Sequence, residues 1–259
     1  MSTNGNQVVS PPEAVELPPT VPGRVVAAGA GWDWVVTGWS LFARAPLMWI
    51  IAIVVLVVLA IFVNVIPILG TLAFQLMQPV FTAGFVVGCR SLEKGGEFEI
   101  EHLVAGFSKH FVPLLVVGAI TMLGWLAILL VFMAFVGMSL LGALLTGDAN
   151  MVANAIATSL VGMLIGTLIC LALVVPLMAA YWFAPALVML SGMAPLEAMK
   201  ASFFACFRNF IPFLVYSIVM LLALIVAMIP FGLGLLVWIP VAIASTYAAY
   251  RAIFTDPAA

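Results

Sequence analysis

Two histidines stand close behind a run of glutamates: Glu93, Glu97, Glu99 and Glu101, then His102 and His110. Imidazole and carboxylate are ligands for a divalent cation. In the helical zinc motif the two histidines stand four apart on one helix face. Here they are eight apart, with the acids loosely ahead of them, so the stretch reads as a solvated acidic loop and no metal or other cofactor is expected. No His-Glu-x-x-His, Gly-x-Ser-x-Gly or phosphate-cradling loop occurs. Cys89, Cys170 and Cys206 have no ligand spacing and read as small buried hydrophobes. The remaining candidates are the amides Gln75 and Gln78, one turn apart beside Pro79, with Asn64 and Thr82 nearby. An amide in hydrocarbon needs a partner. Gln75 and Gln78 are therefore expected to point together into a helix bundle, bonding between helices or, in a second reading, lining a midplane cavity.

Those residues lie in a chain that lipid must solvate. Of its 259 residues, 66% are hydrophobic and 7% charged, against about 25% charged in a soluble domain. Eight Lys plus Arg and ten Asp plus Glu are too few to coat a soluble surface, and the chain has no basic stripe for nucleic acid. The apolar runs are continuous, which marks helices and not the alternating strands of a barrel. Six are expected, near 47–63, 70–89, 112–137, 160–190, 211–229 and 232–250. The fourth would be about 46 Å long at 1.5 Å per residue, longer than a ~30 Å hydrocarbon core, and Pro176 and Pro185 predict a kink or break within it. None of the runs has an ionisable residue at its middle, so coupled transport through a proton relay has no residue to use. Residues 1–26 are polar and Pro-rich and are expected to be a disordered tail. Residues 27–254 are expected to form the membrane domain and 255–259 a short tail.

With six spans, all eight basic residues (Arg24, Arg44, Arg90, Lys94, Lys109, Lys200, Arg208 and Arg251) fall on one face. The opposite face carries only Asp148. The positive-inside rule makes the basic face cytoplasmic, with both termini on it.

The chain also repeats. Lys109-His110-Phe111-Val112-Pro113 matches Arg208-Asn209-Phe210-Ile211-Pro212, and Phe42-Ala43-Arg44-Ala45-Pro46 is a looser copy. Pro79 precedes Arg90 by eleven residues, as Pro240 precedes Arg251. The expected fold is all-α: a polytopic bundle of six transmembrane helices as three parallel two-helix units. Each unit would be introduced by an amphipathic helix lying at the interface. In the first lead-in, Trp32 and Trp39 recur at helical spacing, with Asp33, Thr37, Ser40 and Arg44 elsewhere on the wheel. Phe107 and Phe111 serve the second, and Phe203 and Phe207 the third, where Arg208 would face anionic lipid.

The segments Trp182-Phe183-Ala184-Pro185-Ala186-Leu187, Pro195-Leu196-Glu197-Ala198-Met199-Lys200-Ala201-Ser202 and Arg208-Asn209-Phe210-Ile211-Pro212 carry a resemblance. In them the chain resembles a family of bacterial six-span inner-membrane proteins, similar in pattern to the membrane domain of some glycerophosphodiester phosphodiesterases. The resemblance implies a fold over residues 27–254 and location in the bacterial inner membrane. It implies no substrate, and no phosphodiesterase activity. The function expected is that of a non-enzymatic inner-membrane protein assembling with membrane lipid, a partner protein or further copies of itself. The alternative is a facilitative transporter or channel for a small solute.

A reporter active only in the periplasm should be silent when fused at Ala259 and active when fused near Asp148. The reverse pattern would overturn the span count or the orientation.

Overall fold

The computed structural model describes residues 23–146 and 149–255. The expectations for residues 1–22, for Asp148 and for residues 256–259 lie outside the described residues. These comprise α1 (Ala30–Arg44), α2 (Pro46–Asn64), α3 (Leu69–Glu93), a 3-10 turn (Ile100–Val104) leading into the short α4 (Ala105–Ser108), α5 (Phe111–Thr146), α6 (Ala149–Trp182), α7 (Ala184–Ser191), α8 (Pro195–Arg208), α9 (Phe210–Met228) and α10 (Leu235–Phe254), and no strand is found among them. Among the described residues six stretches are long and apolar enough to cross a membrane: Pro46–Asn64, Leu69–Glu93, Phe111–Phe135, Gly162–Ser191, Phe210–Met228 and Leu235–Phe254.

Proline marks where several of these helices start. Pro46 opens α2 directly after the corner at Ala45, where its missing N–H would have no helical acceptor in any case. Pro113 and Pro212 each stand third in their helices, α5 and α9. Pro79, Pro176 and Pro240 instead lie inside continuous helices. Pro79 therefore does not break its helix. The third apolar run extends past residue 137, and α5 and α6 reach 36 and 34 residues. No proline falls between Pro113 and Pro176 to stop them. At 1.5 Å per residue each is about 50 Å long, more than a ~30 Å hydrocarbon core requires.

The expected break in the fourth run falls at Phe183, just ahead of Pro185. A side chain from another helix completes it. Ser202 of α8 accepts a hydrogen bond from the Phe183 N–H at 2.9 Å and donates one to the Ala179 carbonyl at 2.6 Å. In an unbroken helix those two groups would bond each other. The hydroxyl is inserted into that single rung, and Ser202 is fully buried.

The core sits at the end that bears the basic residues. In α3 the buried residues begin at Pro79 and run on to Leu92, with Gly70 the only one before them. In α10 they run from Pro240 to Phe254, and in α7 from Ala184 to Met189. α3 packs on both α7 and α10, and Ser191 of α7 meets Tyr250 of α10 at 3.0 Å. Trp49 of α2 stacks on Phe85 of α3, with ring centroids 5.7 Å apart, and against Phe98 at 4.5 Å. Around this core the 3-10 turn and α4 pack on α3, α8 packs on α6, and α1 packs on α10 and α9.

Ser202→Ala should lower the thermal midpoint in detergent by the equivalent of ~1–3 kcal/mol, the cost of leaving buried backbone groups unpaired. An unchanged midpoint would mean that the break at Phe183 is satisfied without the hydroxyl.

Candidate functional site

α1 has three faces. Gly31, Trp34, Gly38, Leu41 and Phe42 are buried against the protein. A Cβ at Gly31 would stand 2.2 Å from the Pro212 carbonyl, and one at Gly38 would stand 2.2 Å from Ser245 Oγ. The two glycines are what let α1 lie so close to α9 and α10. Trp32 and Trp39, 56% and 54% exposed, project from a second face. The third face carries Asp33, Thr37, Ser40 and Arg44 at spacings of four, three and four, and it forms one wall of a cavity of about 540 Å³.

The opposite wall comes from α10 and the end of α3: Tyr247, Ala248, Arg251 and Ala252, with Glu93. Arg24 and Val26 close the cavity from the segment preceding α1. That segment is a strap across the fold. The Arg24 N–H donates to the Ile253 carbonyl at 2.9 Å. Asn209, 1% exposed, accepts from the Val26 N–H at 2.8 Å and donates to the Arg24 carbonyl at 3.1 Å. The sequence assigned residues 23–26 to the tail, yet Gly23 is buried and the strap is held from Gly23 onward.

The charged groups around the cavity are anchored. Glu93 accepts from Tyr247 Oη at 2.5 Å and from Arg251 Nε at 3.2 Å. Arg44 Nη1 donates to the Leu92 carbonyl at 2.7 Å, and Arg24 Nε donates to the Ala252 carbonyl. Trp34 is 2% exposed, and its indole Nε1 has no hydrogen-bond partner among the described residues. The cavity is thus an amphipathic groove, with an apolar floor and guanidinium groups around its rim.

The residues singled out from sequence lie elsewhere. Gln75 is half-buried and Gln78 exposed, and neither side chain makes a hydrogen bond among the described residues. The expectation that both point into the bundle is corrected for Gln78. At this level α3 turns Leu76 toward α5, where a Cβ on Gly118 would stand 2.2 Å from the Leu76 carbonyl. Asn64 is exposed. It accepts from Thr71 at 2.6 Å across the α2–α3 hairpin, and its amide donates to the Ala60 carbonyl. Thr82 bonds back to the Gln78 carbonyl at 3.0 Å and stands 3.4 Å from Tyr181 Oη of α6.

Among the aromatic positions, Phe107 and Phe207 are 38% and 47% exposed, while Phe111 and Phe203 are half-buried. Phe107 and Phe111 stack at 5.6 Å, and Phe203 and Phe207 meet at 4.6 Å. Arg208 donates from Nη1 to the Gly23 carbonyl at 3.2 Å, so part of its guanidinium holds the strap. His102 Nδ1 accepts from the Glu99 N–H at 3.0 Å in a capping box. Among the described residues no three His, Cys, Asp or Glu side chains gather as a metal site. Burial pushes the Cys206 thiol up to about 12, which keeps it protonated at neutral pH.

Sequence reasoning missed the groove because its walls are more than two hundred residues apart. The available signal was the regular spacing of Asp33, Thr37, Ser40 and Arg44, which marks one polar stripe along the helix but does not distinguish a groove wall from a solvated face.

Six apolar helices with a dense core at their basic end define an integral membrane protein. The chain is similar to a protein named as a probable inner membrane protein in Burkholderia thailandensis, 27% identical over 253 residues that cover 88% of this chain and 92% of that protein. This likeness supports a multi-pass protein of the bacterial inner membrane. No family model matches the chain, and no solved structure does. The resemblance to the phosphodiesterase membrane domain is therefore unsupported.

Asn209→Ala should free the strap, so that trypsin cuts after Arg24 faster than in the parent protein. Asn209→Asp, which keeps an acceptor for Val26, should lie between the two. Equal cleavage rates in all three would remove the role given to Asn209.

Proposed function

We propose that the chain is a non-enzymatic inner-membrane protein that assembles with membrane lipid through its basic end, which faces the cytoplasm together with both termini. The observation that carries this reading is the exposure of Trp32, Trp39 and Phe207 on α1 and α8, helices whose other sides are buried in the protein. Large aromatic side chains presented at the end that also bears the Lys and Arg residues suit the headgroup level. There, apolar rings enter the acyl boundary and cations meet lipid phosphate.

The three-unit arrangement belongs to the same proposal. Each lead-in segment packs on the returning span of the unit before it: the 3-10 turn and α4 on α3, α8 on α6, and α1 on α10. The third contact joins the first unit to the last. Such a relay supports three units closed into a ring about an axis near the membrane normal, each sealing the flank of its neighbour. A transport path through Gln75 and Gln78 draws no support from the groove, whose walls include neither residue.

The test is reconstitution of the full chain in nanodiscs of neutral lipid and in nanodiscs with a rising fraction of phosphatidylglycerol. The thermal midpoint should climb by several degrees with anionic lipid and fall back in high salt, because exposed charge interactions are screened within about 10 Å at 0.1 M. Trp32→Ala with Trp39→Ala should lower the midpoint in every lipid. A midpoint indifferent to lipid charge would sink the reading.

A further inference from the structure

The groove between α1 and α10 has a more specific chemistry than a generally basic surface. Three guanidinium groups line it, each fixed through a single nitrogen. Arg24 and Arg251 are held by Nε, to the Ala252 carbonyl and to Glu93 respectively, and Arg44 is held by Nη1 to the Leu92 carbonyl. Anchoring by Nε leaves the end-on pair of amino groups of Arg24 and Arg251 without a partner among the described residues. Anchoring by Nη1 leaves the side-on edge of Arg44 in the same condition. Every one of the three therefore keeps a complete two-pronged edge, the geometry that grips the two oxygens of a phosphate.

The carboxylates do not cancel this field. Glu93 is already matched by Arg251 and Tyr247. Asp33 is the other acid in the lining, so three positive and two negative groups leave a net charge of +1. One phosphate diester would neutralise it. The floor is apolar, built from Ala30, Trp34, Leu41 and Ala248, and it suits the glycerol and first methylenes of a lipid better than a naked ion. Trp34 is one of three tryptophans, with Trp49 and Trp182, whose buried indole N–H has no partner among the described residues, and it is the one of the three that lines the groove.

We propose that this groove is a binding site for the phosphate of a glycerolipid headgroup, held between Arg24, Arg44 and Arg251 with its glycerol on the Trp34 floor. The proposal rests on the lipid-assembly reading and sharpens it from a charged surface to one site per chain. The strap forms part of this site, since Arg24 enters the groove only because Asn209 and Ile253 hold the strap against the fold.

The experiment uses the full chain in a neutral detergent. It is titrated calorimetrically with dihexanoyl phosphatidylglycerol, with the matching diacylglycerol that lacks phosphate, and with inorganic phosphate. The short-chain phospholipid should saturate at one per chain, and the diacylglycerol should not saturate. Arg24→Gln with Arg44→Gln should weaken binding by about tenfold or more, as expected for lost charge-assisted hydrogen bonds. Asp33→Asn should strengthen it by removing a like charge. Lys200→Gln removes one positive charge from an exposed position outside the groove and should leave the affinity unchanged. Thermal unfolding of each unliganded variant checks that it is folded. If the double variant is not, Arg44→Gln alone carries the test, because Arg44 is exposed.

Inorganic phosphate binding as tightly as the lipid would assign the same site to a soluble phosphate, whereas tighter lipid binding assigns it to the headgroup. The site is overturned if phospholipid and diacylglycerol bind alike, or if Lys200→Gln weakens binding as much as Arg44→Gln does. Either result, with the nanodisc midpoint still following anionic lipid, would remove the groove and leave the lipid-assembly reading standing. Saturable binding to the groove with a midpoint indifferent to lipid charge would do the opposite.

Discussion

A backbone amide in hydrocarbon has no water to bond, and an unpaired one costs several kcal/mol. Two irregularities in this chain answer to that constraint. The apolar segments are helical because a helix satisfies its own backbone. At two irregular places a side chain from another segment takes over. At the break before Pro185, the Ser202 hydroxyl completes the rung between Ala179 and Phe183. At the strap, Asn209 supplies both an acceptor and a donor to chain that has no helical partners. Both residues belong to one stretch, α8 and the corner that follows it. A helix outside the six spans can therefore repair a broken one.

Lipid tails are as apolar as leucine, so burial of apolar area gives helices little reason to choose each other over the bilayer. Close approach must supply the preference. Gly31 and Gly38 bring α1 onto α9 and α10. Gly118 brings α5 onto α3, and Gly84 brings the 3-10 turn onto α3, where a Cβ would stand 2.6 Å from the Leu103 carbonyl. At the opposite end of the molecule the spans bury less. α3 buries little before Pro79, and Gln78 in that half is exposed.

Charge is concentrated at the packed end, and part of it acts within the protein itself. Arg24, Arg44 and Arg208 each donate to a backbone carbonyl at the end or start of another segment. A cation near the last carbonyls of a helix also meets the negative end of its dipole. Arg44 does this for α3 and Arg24 for α10. The same guanidinium groups that close these helix ends form the rim of the groove, so the local structural role and the ligand-binding chemistry use different edges of one side chain.

Composition and hydropathy alone determined that this is a helical membrane protein with six spans and a single basic face, because those properties follow from local residue content and from the thickness of a bilayer. The break near Pro185 and the Pro-led starts of α2, α5 and α9 were legible for the same reason: proline acts on its own backbone. The glutamines misled, because a helix wheel gives the angle between Gln75 and Gln78 but not the direction in which the helix faces. That direction was decided by contact at Leu76 and Gly118. The groove could not be read from the sequence, since it exists only where Asp33 to Arg44 on α1 meets Tyr247 to Ala252 on α10, with Arg24 and Glu93 carried in by other segments. Charge pattern is written along the chain, whereas the pairing of one charged edge with a carbonyl and the freedom of the other arise only from packing in three dimensions.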